Sequence, residues 1–191
     1  DFTFETKLQP EDPALLRLRR GDRAMREHLY GNAIENFKEY RKYVGERQPD
    51  LSKALGKLAE AYFAAGEPQE AKKILQEEKA KRKELPELMQ GWLLYLEAKI
   101  MLHEKLWQDC LQLLDGPAKK IDYGPYTEAV LLIRLDCMAE LSLWQKNVDE
   151  IEAFLKKNPE ADKFSLRSRL IKAYLASGNT DKALQNIENI S

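Results

Sequence analysis

The chain has 191 residues, with 31 Lys and Arg against 32 Asp and Glu, and a formal net charge of −1. A chain of this size can bury a core without disulfides or metal, and its near-neutral balance gathers neither polyanions nor acidic membranes, so nucleic acid is not an expected partner. Apolar residues make up 43% and charged residues 33%, with only 9 Gly and 8 Pro, which favours an ordered, soluble, all-α protein over a disordered one.

The visible sequence starts at Asp1, and no cationic stretch leads into an apolar run. No signal peptide is therefore legible, and we expect a cytoplasmic protein ahead of a processed exported one. Residues 1–13 read as an N-terminal extension. Residues 14–48 hold ALLRLRRGDRAMREHLYGNAIENFKEY, which reads as a helix, a turn and a second helix, with Gly21 where the two helices cross and Ala33 and Phe37 facing back. Residues 52–85 repeat the plan in LGKLAEAYFAAGEPQEAKKILQEE, punctuated by Gly66 and by Pro68 at the start of the second helix.

Residues 91–124 begin GWLLYLEAKIMLHEKLWQDCLQLLD. Glu97 and Lys99 break its apolar patch far short of the roughly 18 to 20 apolar residues that a membrane span needs, so no span is expected. Leu94, Ala98, Met101, Cys110 and Leu114 fall on the positions used in the second hairpin. Residues 129–162 carry the most degenerate copy, with Ala139 in place of Tyr62 and Val148 as the nearest match to Ala71. Residues 164–191 restore the pattern, with Leu170, Tyr174, Gly178 and Ala183 matching Leu58, Tyr62, Gly66 and Ala71.

The small anchor residues at 33, 71, 110, 148 and 183 lie 38, 39, 38 and 35 apart. This spacing, with its Leu, Tyr, turn Gly, Ala and large residue four later, resembles the tetratricopeptide repeat (TPR), a helix-turn-helix of about 34 residues. The resemblance covers residues 14–190 and implies an α-α superhelical solenoid of five hairpins. Solenoids end in a helix with a polar outer face, whereas the last helix here carries Ala183, Leu184, Ile187 and Ile190, all expected to be half covered. Either a second copy or further domains beyond residue 191 are expected to meet that end.

No side-chain constellation points to catalysis. His103 and Cys110 would lie about two turns, or 10 Å, apart on one helix, and in the repeat reading a turn near Lys105 separates them. His28 lies at the matching turn of the first hairpin, so both His read as polar hairpin tips. Cys110 and Cys137 lack zinc or redox spacing and read as small buried hydrophobes. Acidic residues alternate with basic ones, as in Glu70, Lys73 and Glu77, the pattern of a solvated helix face. Lys79–Lys83 (KAKRK) reads as solvated charge aligned with a helix dipole, and Arg20–Asp22 (RGD) falls inside a helix. Phosphate-loop, metalloprotease and nucleophile-elbow motifs are missing. The expectation is a non-enzyme with no cofactor and no metal.

The resemblance implies a groove lined by first helices. Carried over hairpin by hairpin, it is expected at Leu18, Asp22 and Met25; at Lys53, Glu60 and Phe63; at Trp92, Tyr95, Lys99 and Leu102; at Ile133 and Glu140; and at Lys172 and Leu175. Trp92 and Tyr95 exceed what the hairpin needs internally and are the expected anchors, although packing against a neighbouring helix would also explain each. One TPR subclass clamps a peptide carboxylate with Lys and Asn on first helices. The matching positions here are Leu18 and Asp22, and Asp22 would repel that group. The sequence thus implies a scaffold or adaptor that binds a peptide or protein segment. The alternatives are an assembly module that oligomerises through its C-terminal end, and the regulatory arm of a longer enzyme.

Overall fold

The computed structural model describes residues 12–116, 120–159 and 163–188, the side chains of residues 80, 81, 163 and 188 excepted. Among them are ten α-helices and no strand: α1 (Pro13–Arg26), α2 (Tyr30–Val44), α3 (Asp50–Ala64), α4 (Pro68–Glu78), α5 (Glu87–His103), α6 (Trp107–Asp115), α7 (Thr127–Glu140), α8 (Trp144–Lys157), α9 (Lys163–Ala176) and α10 (Thr180–Glu188). Helix starts follow local chemistry. Asp12 caps α1 by accepting the Ala14 N–H at 2.9 Å, and Pro13 and Pro68 occupy first-turn positions where no N–H is needed.

Each odd-numbered helix joins the next through the same turn. Its centre is a residue of positive φ: His28 (58°), Gly66 (82°), Lys105 (61°), Ser142 (57°) and Gly178 (80°). The following N–H reaches back to close the helix end, from Leu29 to Ala24, Glu67 to Tyr62, Leu106 to Met101, Leu143 to Met138 and Asn179 to Tyr174, at 2.8 to 2.9 Å. Only two of these turns use glycine. The other three place an ordinary side chain in the left-handed region, a local cost that the closing bond and hairpin packing offset.

These bonds fix the register that the sequence left open. The N–H groups of Ala33, Ala71, Cys110, Asn147 and Ala183 each bond the residue at the start of their second helix. The anchor of the fourth hairpin is therefore Asn147, not Val148, and Met138, not Ala139, takes the place of Tyr62. Asn147 is 3% exposed, and its Nδ2 donates to the Leu135 carbonyl at 2.8 Å. A polar residue stands where the other hairpins use Ala or Cys, and its backbone bond explains how it is accommodated. The turns also separate the two His: His28 holds the positive-φ position, whereas His103 ends α5, two residues before Lys105.

Contacts divide the chain into two compact units, Asp1–Ile100 with Ile121–Gly124, and Met101–Lys120 with Pro125–Ser191. In the first, Phe37, Tyr40 and Val44 of α2 pack on Ala54, Leu58 and Ala61 of α3. Phe37 is fully buried, and a Cβ on Gly21 would overlap its ring, which is why the crossing holds glycine. Beyond α4, a 3-10 segment (Lys79–Glu84) carries Arg82, which is 6% exposed. Arg82 Nε donates to Glu78 Oε2 at 2.9 Å and its Nη1 to Glu97, whose other oxygen takes Lys79 Nζ at 3.0 Å. Part of Lys79–Lys83 is thus a buried ion-pair cluster, correcting the solvated reading of that stretch: the acids that receive Arg82 lie on α4 and α5.

In the second unit, α6 packs on α7, and α8 on α9. Arg134 of α7 joins Asp115 at 2.7 Å and Glu150 at 3.0 Å. Cys110 and Cys137 are fully buried neighbours; the hydrogen bond between the thiols, with burial, pushes Cys110 up, while the same bond pulls Cys137 down. Tyr174 donates its hydroxyl to Glu152. Burial first, and this bond second, push the phenol from its ordinary 10.0 up to about 12. A raised phenol favours the folded state fully below the unfolded value and loses that advantage as pH rises through the folded one. The difference in unfolding free energy between the wild type and Tyr174→Phe, from urea titrations, is expected to hold steady to pH 10 and to shrink toward pH 12; a pH-independent difference would contradict the assignment.

Candidate first-helix groove

Register relative to the turns decides which first-helix residues share a face. On the first unit that face carries Asp22 and Met25 of α1, Lys53, Glu60 and Phe63 of α3, and Tyr95 and Lys99 of α5, all half-buried. The Asp22 carboxylate is 2.8 Å from Lys57 Nζ, which lies 3.9 Å from Glu60 and 5.8 Å from the centre of the Trp92 ring. Lys99 Nζ lies between two rings, 5.2 Å from the centre of Phe63 and 5.8 Å from that of Tyr95. Each ring face attracts the ammonium and is worth about 0.5 to 2 kcal/mol depending on its exposure. The result is an apolar patch with a cation fixed in it, beside an acid already neutralised by its neighbour.

The second unit repeats part of this arrangement. Asp136 stands where Asp22 does, six residues before its turn centre, and Arg169 stands where Lys57 does, nine before. Arg169 Nη1 donates to Asp136 at 2.8 Å. Burial raises the Asp136 carboxyl, and Arg169 and Lys172 oppose that rise. The face of this unit carries Leu102, Leu132, Asp136 and Ala139, half-buried, with Lys172 exposed and Leu175 53% exposed.

The fold, covering nearly all of the chain, recurs in solved structures. A putative kinesin light chain with nearly identical TPR-like repeats from Podosopora anserina superposes with a TM-score of 0.73 at 21% identity, covering 93% of this chain and 94% of that one. A MamA double mutant gives a TM-score of 0.73 at 15% identity over 93% and 92%. The structure of Naa15/Naa10 bound to HypK-THB contributes a TM-score of 0.60 at 21% identity, covering 87% of this chain and 24% of that one. The fold is a TPR-like repeat array. No protein-family model and no curated protein matches the sequence.

Within this TPR-like array the expected groove residues do not all share a fate. Leu18 is 7% exposed and belongs to the core with Ala14 and Ala24. Trp92 is 9% exposed; its ring fills the space where a Cβ on Gly56 would come within 2.5 Å. Of the two readings open for Trp92, packing against a neighbour is the one that holds. Ile133 is 6% exposed, because it occupies the position of Lys57 and Arg169 and not that of a groove residue; Leu132, Asp136 and Ala139 are the face residues there. Glu140 ends α7 and is exposed. Both misplacements follow from the one-residue error at Asn147. The sequence reading also missed Lys57 and Arg169, although Lys57 and Glu60 form a visible i,i+3 pair. RGD sits inside α1, with Gly21 buried and Asp22 committed to Lys57. Among the described residues no three His, Cys, Asp or Glu gather to hold a metal, and no helix is long and apolar enough to cross a membrane.

Proposed function

We propose that the first unit is a non-catalytic interaction module that holds a protein segment on its first-helix face. The observation that carries this reading is the pair Phe63 and Tyr95, half-buried on successive first helices with Lys99 held between their rings, and Met25 half-buried on α1. These side chains already have rigid neighbours, so a partner loses little conformational freedom in engaging them. The held ammonium fits an acceptor-rich segment: a backbone carbonyl or a carboxylate reaches Lys99 while apolar side chains cover the rings. A mutant with both Phe63→Ala and Tyr95→Ala is expected to lose about 2 kcal/mol or more of binding, roughly thirtyfold. A photo-crosslinking residue at Lys99 identifies the segment; isothermal titration with a peptide of that sequence then measures the loss. Unchanged affinity in the double variant would remove the groove from the account.

A further inference from the structure

Successive hairpins meet through two equivalent places: the anchor, five residues after a turn centre, and the residue five before the next turn centre. At the first junction these are Ala33 and Ala61, both fully buried in one cluster. At the second they are Ala71 and Ile100, and at the fourth Asn147 and Ala173, none more than 3% exposed. The fifth anchor, Ala183, expected to be half covered, is fully buried as well, whereas Leu184 and Ile187 beside it are 55% and 46% exposed; Ile190 falls outside the described residues.

At the third junction, inside the second unit, the two places hold Cys110 of α6 and Cys137 of α7, both fully buried. They stand 27 positions apart in the sequence, without the short spacing of a redox motif, and only the packing of α6 on α7 joins them. Small residues at such a crossing let two backbones approach until the Cβ atoms touch, about 4 Å apart. A disulfide spans about 3.5 to 4.5 Å between its Cβ atoms. The structure holds both residues as thiols, and the Cys110 S–H donates to the Cys137 sulfur, so no other group stands between the two sulfurs. From this apposition we propose that Cys110 and Cys137 are a modification site, which a hydroperoxide closes into a disulfide that ties α6 to α7.

The reaction has two steps. Cys137, as the thiolate, attacks the terminal oxygen of the hydroperoxide; the O–O bond breaks, the alkoxide leaves with the thiol's proton as an alcohol, and Cys137 becomes a sulfenic acid. The Cys110 sulfur then attacks the Cys137 sulfur, the S–O bond breaks, and the hydroxyl leaves with the Cys110 proton as water. Two thiols are oxidised to one disulfide, and one hydroperoxide is reduced to alcohol and water. Cys137 is the first attacker because the hydrogen bond from Cys110, aided by Arg134, outweighs burial and Asp136 and holds its thiol below the ordinary 9.0. Both sulfurs are buried, so the reaction waits on local parting of α6, nine residues long, from α7. The site belongs to the second unit, so it stands or falls independently of the face proposed for the first.

The test incubates the whole chain with hydrogen peroxide, then unfolds it, alkylates it with iodoacetamide and measures its mass. The treated wild type is expected to lose about 2 Da and both alkylation sites, and to regain them after dithiothreitol. Its digest before reduction should hold one crosslinked pair of peptides, and its urea midpoint should rise and fall back on reduction, because the bond constrains the unfolded chain. Cys110→Ala places there the residue that three other hairpins hold at the anchor, so it keeps its circular dichroism; after peroxide its Cys137 should stop at a sulfenic acid that dimedone labels on unfolding. Two alkylatable thiols after treatment, higher oxides on either sulfur in place of the crosslink, or a disulfide between two chains overturns the proposal. So does a crosslinked chain that has lost its helical circular dichroism, since the bond would then belong to an unfolded form.

Discussion

Replacing Arg82 by Met is expected to cost about 3 to 5 kcal/mol at neutral pH, a large fraction of what holds a domain of this size together. The guanidinium is 7% exposed and lies between Glu78, fully buried in its side chain, and Glu97 at 13%. Without it two carboxylates remain close together out of water. The neutral side chain leaves buried Glu78 without its cation and Glu97 with Lys79 alone, and that is the main cost, not the lost attraction of the pair. The pH dependence separates this from a packing effect. In the wild type, burial pushes Glu78 up, whereas Arg82 and Lys79 overcome the burial of Glu97 and hold it below its ordinary 4.5. Glu97 therefore contributes stability above its unfolded value that is lost as pH falls through the lower folded one. In the variant both carboxyls move up, so protonation stabilises the fold as pH falls. The two curves are expected to converge between pH 7 and pH 4 in urea titrations. A loss below about 1 kcal/mol, or a pH-independent one, would contradict the assignment. Replacing the whole cluster with Glu78→Leu, Arg82→Met and Glu97→Leu should recover most of the stability, since an apolar cluster leaves no buried charge.

That cluster shows where sequence reasoning ends. Five hairpins were legible because helical periodicity, turn residues and small crossing residues recur at fixed spacing, and each signal is local. Arg82 was not: four cations in five residues have the local signature of solvated charge, and only the fold brings Glu97, 15 residues away, onto Nη1. The fourth hairpin was misread for a different reason. Its small position holds Asn147 beside an apolar Val148, and apolar matching chose the wrong neighbour. The backbone bond from Asn147 N to Leu143 O carries the true register. One residue of error rotates a helix by about 100°, enough to replace the half-buried Leu132 with the buried Ile133 on the expected groove.

Trp92→Ala, which the sequence alone marks as a binding lesion, is expected to act on stability instead, at about 3 to 5 kcal/mol. The indole is 9% exposed and packs on α3, with Lys57 5.8 Å from its centre. Truncation leaves a cavity between α3 and α5, and partner affinity measured well below the melting range should change far less than for Tyr95→Ala. Gly56 is the reciprocal partner: its missing Cβ would lie 2.5 Å from the ring. Gly56→Ala alone should therefore destabilise by about 1 to 3 kcal/mol through overpacking, despite the better helix propensity of Ala. The signature is the combination. With the indole gone, the added methyl loses its two closest contacts, and Leu93 Cδ2, 2.8 Å from that position, can shift into the vacated space, so the double variant should be more stable than the sum of the single losses by about 1 kcal/mol or more. Additive losses in a double-mutant cycle followed by urea unfolding would mean that Gly56 and Trp92 do not touch. A preserved fold with abolished binding in Trp92→Ala would return the indole to the groove.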